Sequence, residues 1–66
     1  MNILKLRGKM VERGYNVEAL ASGIGVDKTT LYRKLGDGEK FTVGDAKKIS
    51  TLLNLTKEEV HDIFFN

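Results

Sequence analysis

Val17 to Gly36 reads V-E-A-L-A-S-G-I-G-V-D-K-T-T-L-Y-R-K-L-G, and the fold is decided in this stretch. Two short apolar-periodic segments flank Gly25, which lets the backbone turn sharply. Two helices can cross there at about 90–120° only if a small residue sits at their contact and an apolar residue wedges the second onto the first. Ala21 and Leu31 occupy those places, and Leu20, Ile24, Val26 and Leu35 complete the buried face. The expected motif is a helix-turn-helix, with Lys28, Thr29, Tyr32 and Arg33 left pointing outward from the start and middle of its second helix.

Outward from this motif the same opening signature recurs. An apolar residue, a polar N-cap and a second apolar residue four positions past the cap form a hydrophobic staple. Tyr15-Asn16 with Leu20 opens the second helix, Val26-Asp27 with Leu31 the third, Phe41-Thr42 with Ala46 the fourth, and Leu55-Thr56 with Val60 the fifth. Thr42 with Asp45 and Thr56 with Glu59 have capping-box spacing, which satisfies amides that would otherwise be orphaned. The first helix runs from about Asn2 to Arg13, with Ile3, Leu6 and Met10 on one face and Gly14 as its terminator. Gly8 inside it is either a tolerated weakness of about 1 kcal/mol or a place of close helix approach. The fourth helix, roughly Val43 to Asn54, is expected to bury Val43, Ala46, Ile49 and Leu53 and to keep Lys47 and Lys48 wet. The fifth is expected to bury Val60, Ile63 and Phe64. Gly36-Asp37-Gly38-Glu39-Lys40 is a turn-rich loop too short to divide the chain. No stretch alternates as a strand would, so residues 1–66 read as one all-α domain of five helices without internal repeats.

Composition narrows the chemistry. The chain has 66 residues, no Cys, no Pro and a single His, so it offers no disulfide framework, no thiol nucleophile and no four-ligand zinc site. Its apolar runs are far shorter than the roughly 20 residues of a membrane span, and nothing reads as a signal peptide, so the expected location is the cytoplasm, without a membrane partner. Residues 1–55 carry ten bases against six acids, whereas the last eleven hold Lys57 against Glu58, Glu59 and Asp62. A polyanion should therefore meet the body of the domain and not its end. Asp27 is fully explained as a cap, His61 as a surface residue, and the three late carboxylates as a solvated face with no metal or acid–base role. No cofactor, metal or enzyme activity is expected.

A helix fits the major groove of B-DNA, Arg or Lys reads guanine O6 and N7, and a Thr methyl packs on a thymine methyl. The outward set Lys28, Thr29, Tyr32 and Arg33 has that chemistry. Taken together, the Ala21/Gly25/Leu31 spacing, the five-helix order, the run T-L-Y-R-K-L-G-D-G and the ending L-N-L-T-K-E-E-V-H-D-I-F-F resemble the Cro/repressor-type helix-turn-helix domains of the XRE family over nearly the whole chain. The resemblance implies a lambda-repressor-like fold and sequence-specific binding of a double-stranded DNA operator, as a small phage-type repressor working by occupancy. By the same resemblance Lys28, Thr29 and Arg33 match base-reading places and Tyr32 an adjacent groove-facing one. Asn16 and Lys40 match phosphate-holding places, joined by the backbone amides near Val17 at the start of the second helix. Lys34 is a further candidate for phosphate.

The chain departs from the family pattern at two places. Many members have Gln where this chain has Val17, which can neither bond a phosphate nor brace the first recognition residue. Several relatives pair an Arg of the first helix with a Glu at the end of the third, and the matching residues here are Met10 and Leu35, expected to pack together. Adjacent Phe64 and Phe65 cannot both be buried by one helix face. An exposed Phe65, with Val60 or Ile63 at its rim, is the expected contact of a symmetric homodimer that would read two half-sites. The alternatives are an antitoxin-type regulator, which an unexplained exposed apolar patch would favour, and a protein-interaction module on the same fold.

Overall fold

The computed structural model of the chain describes residues 1–37 and 41–65. Five helices follow in order, α1 (Ile3–Glu12), α2 (Val17–Ile24), α3 (Lys28–Asp37), α4 (Val43–Leu52) and α5 (Lys57–Phe64), with no strand among the described residues. The four later helices start at the expected caps, and Asn2 caps α1. Asn2 Oδ1 accepts from Lys5 N–H at 3.1 Å, Asn16 Oδ1 from Ala19 N–H at 2.7 Å, and Asp27 Oδ2 from Thr29 N–H at 2.9 Å. At α4 and α5 both halves of the capping boxes form, Thr42 with Asp45 and Thr56 with Glu59.

Three helices end in one way, and that ending is also the next beginning. Gly14 (φ 78°), Gly25 (φ 75°) and Asn54 (φ 54°) are left-handed. The residue after each donates its amide back into the helix: Tyr15 to Met10 at 2.8 Å, Val26 to Ala21 at 3.0 Å, and Leu55 to Ser50 at 2.9 Å. This is the Schellman closure. The three apolar donors are also the residues before the next caps, so G-Y-N, G-V-D and N-L-T each close one helix and open another within three residues. Gly25 is thereby both the turn of the helix-turn-helix and the terminator of α2.

α2 packs against α3 and α4, and α5 against α1 and α4. Leu6, Leu20, Leu31, Ile49, Leu53 and Ile63 are completely buried, and Met10 and Leu35 lie in the same core at 3% exposure each. Both members of the expected pair are thus core residues. Two expectations are corrected. Val43 is 74% exposed, because two successive three-residue steps from Ile49 carry it about 120° round the helix. Ile63 is fully buried, as expected of the fifth helix, and so cannot lie at a rim between copies, whereas Val60 and Phe64, also expected in the core, are half-buried and Phe65 is 62% exposed.

Gly8 is exposed, and a Cβ there would meet nothing within 4 Å, so it marks no close approach. The close approach lies at Gly23 of α2, where a Cβ would run into the Leu52 side chain of α4. Of the three late carboxylates Glu58 is exposed as expected, whereas the other two are paired. Asp62 Oδ2 is 2.9 Å from Lys5 Nζ and Glu59 pairs with Lys9, so the acidic α5 is clasped by the cations of α1. Asn2 N–H also donates to the Ile63 carbonyl at 2.7 Å, joining the first residues to the last helix. Lys9, with the Thr56 amide next, holds the Glu59 carboxyl down at about 2.

Candidate nucleic-acid interface

The second helix of the motif presents its polar residues as a group. Leu31 and Leu35 turn α3 inward. Lys28, Thr29, Tyr32 and Arg33 are all exposed, Tyr32 at 53%. Thr30 is half-buried beside them. Arg33 has no ion-pair partner among the described residues. The Thr29 amide is taken by the Asp27 cap, so the hydroxyl and methyl are what Thr29 presents. Asp27 is a cap, as its place in the sequence implies.

Lys28 has a neighbour that sequence reasoning missed. Its Nζ stands 3.6 Å from Glu18 Oε2, so the first turn of α2 reaches the first residue of α3. Val17, whose side chain is 8% exposed and part of the core, leaves the bracing of Lys28 to the residue beside it. The signal was a carboxylate at the start of one helix and an ammonium at the start of the next, across a turn of known geometry.

At the start of α2 the Asn16 side chain is spent on Ala19 N–H and its carbonyl on Leu20 N–H. The Val17 and Glu18 amides have no partner among the described residues. Two open N–H groups at a helix N-terminus, with the positive end of the dipole behind them, make a seat for an anionic oxygen. Asn16 is exposed and retains its Nδ2 donors.

The remaining cations divide. Lys34 is not an outward ammonium: its Nζ lies 2.9 Å from Asp45 Oδ2 and 5.5 Å from the Phe41 ring centroid, and its side chain is 20% exposed. Burial pushes the Asp45 carboxyl up, yet the bonds from Lys34 and Thr42 outweigh it and hold the group below its ordinary value. Lys40 lies outside the described residues. On the outer side of α4, Lys47 and Lys48 are exposed as expected. Among the described residues no group of three or more His, Cys, Asp or Glu could hold a metal ion, and no helix is long and apolar enough to cross a membrane.

Two helices crossing at Gly25, the second outward-facing and cationic, define a helix-turn-helix DNA-binding domain. The model of the Cro/C1-type HTH DNA-binding domain matches residues 5–64, and the chain belongs to that family. No curated protein and no solved structure matches it. Membership carries DNA-binding transcription regulation as the chain's class of function.

Proposed function

We propose that the chain is a phage-type transcriptional repressor that occupies a DNA operator. Lys28, Thr29 and Arg33 read base edges in the major groove with Tyr32 beside them, while Asn16, the Val17 and Glu18 amides and Lys40 hold phosphates. The observation that carries this reading is the grouped exposure of four polar residues on α3 next to two open amides of α2. Base readers and phosphate seats then lie on adjoining helix starts, as docking of one helix in a groove requires. Selection from a random duplex library tests it: one sequence family should be enriched, and no enrichment would contradict it.

The repressor acts as a homodimer. In support, Val43 and Phe65, both largely exposed, flank an apolar cleft of about 380 Å³ lined by Met1, Ile3, Phe41 and Phe64. A knob and a hollow on one patch are what a two-fold contact needs. Val60, half-buried, is at most a margin of that contact. Sedimentation should show a concentration-dependent dimer, and the selected site should be palindromic with half-sites about one turn apart. A monomer at every concentration, with and without DNA, would remove the dimer.

A second reading has its own observation. Leu4 (83% exposed) and Val11 (79%) lie seven residues apart on the outer side of α1, with Gly8 between them. This apolar stripe favours a protein partner, as in an antitoxin-type regulator. Leu4→Glu leaving every function intact would remove that reading.

A further inference from the structure

We propose that Lys34 is a positioning residue of the DNA-recognition face and not a phosphate ligand, locking the end of α3 to the start of α4. The inference rests on the DNA-binding reading above. Lys34 stands in the last turn of α3, and its ammonium meets Asp45, the third residue of α4, across eleven positions of chain. The same carboxylate accepts from Thr42 N–H at 3.3 Å, while Asp45 N–H donates to Thr42 Oγ1 at 3.0 Å. One acidic side chain therefore serves the α4 cap and α3 together. The ammonium also stands over the ring of Phe41, which meets Phe64 of α5 edge-on at 6.2 Å and 79°. Lys34 thus joins α3 to α4 directly, and Phe41 carries the contact on to α5.

The electrostatics oppose a phosphate role. Lys34 is neutralised by a carboxylate whose side chain is 15% exposed and faced by an aromatic ring. Moving to a phosphate would strand the half-desolvated Asp45 charge beside a polyanion. What Lys34 does in place is tie the last turn of α3, the helix that carries the proposed base readers, to the first turn of α4. Its removal should loosen α3 against α4, and so weaken binding without changing the number of phosphates neutralised.

Lys34→Met keeps the stem and removes the charge, Lys34→Arg restores it, and Asp45→Asn removes the partner. Without DNA, carboxyl NMR should find Asp45 titrating below 3.8 in the wild type and the Arg variant, and higher in the Met variant. On a selected duplex, Lys34→Met and Asp45→Asn should each weaken binding roughly tenfold, and the double variant no more than either. The slope of log affinity against log salt should be unchanged in Lys34→Met and shallower by about 0.9 in Lys40→Ala. Melting curves show whether each variant is folded. A slope reduced in Lys34→Met as in Lys40→Ala would make Lys34 a phosphate ligand and overturn the proposal, as would an Asp45 titration indifferent to Lys34. Failure of the folded wild type to bind any duplex would overturn the DNA reading, and with it the recognition role, while the Asp45 titration still decides whether the lock exists.

Discussion

Glu18 Oε2 stands 3.6 Å from Lys28 Nζ, joining the first turn of α2 to the first residue of α3 across the turn at Gly25. Both side chains are largely exposed, 76% and 53%, so the pair adds at most about 1 kcal/mol to stability. Its consequence is for orientation. It holds the ammonium on the α2 side. Glu18→Gln should leave the melting temperature nearly unchanged, raise affinity for every duplex by removing a negative charge near phosphate, and relax discrimination at the base pair under Lys28. Anisotropy titrations on the selected duplex and its single-base variants check this. Unchanged discrimination would mean that Glu18 does not direct Lys28.

Arg33 and Lys40 should fail in different ways. Arg33→Ala should cost about 1–3 kcal/mol on the selected duplex and relax preference at one position. Lys40→Ala should weaken all sequences alike and flatten the salt dependence. Equal losses on selected and random DNA for both would sink the division into a base reader and a phosphate contact.

Gly8 within α1 and Gly14 just after it predict opposite signs of effect. At exposed Gly8 a Cβ meets nothing, so Gly8→Ala should stabilise the fold by about 1 kcal/mol through helix propensity. Gly14 is left-handed at φ 78°, and Gly14→Ala should destabilise by about 1 kcal/mol or more. Denaturant unfolding of the two variants measures both, and a destabilising Gly8→Ala would reveal a contact on the outer side of α1.

Acid should loosen α5 from α1. Glu59 titrates at about 2 in the fold against an ordinary 4.5, chiefly because of Lys9. A carboxyl with a lowered folded pKa stabilises above its unfolded value and loses that contribution as pH falls through the folded one. The melting temperature should therefore decline between about pH 4.5 and 2. Asp62, lowered by Lys5, acts in the same direction. Glu59→Gln should flatten the profile in that window, and an unchanged profile would contradict the clasp.

Met10 and Leu35, each 3% exposed, lie in the same core cluster. Each Ala substitution should cost about 2–5 kcal/mol. The double variant should show a coupling of at least about 0.5 kcal/mol, and strict additivity would mean that the two do not touch.

The helices were legible in the sequence because their signals are local. G-Y-N, G-V-D and N-L-T put terminator, staple and cap within three residues, and the two capping boxes span four. What stayed illegible is non-local. Lys34 reads as a spare cation until α4 brings Asp45 beneath it, and Glu59 and Asp62 read as solvated until α1 lies alongside with Lys9 and Lys5. Val43, which is exposed, and Val60 and Phe64, which are only half-buried, fail for a third reason. Apolar identity says that a residue is able to be buried, and only the rotation of its helix against the core says whether it is. The outward set Lys28, Thr29, Tyr32 and Arg33 was legible because Leu31 and Leu35 fix that rotation for α3.

The central claim is that α3 reads sequence. Titration of the selected duplex and a scrambled duplex, each at two salt concentrations, measures it directly. The selected duplex should bind at least about a thousandfold tighter at physiological salt, a margin that persists as both affinities fall with salt. Equal, weak and equally salt-sensitive binding of the two would contradict it and leave the helix-turn-helix as a surface for a protein partner.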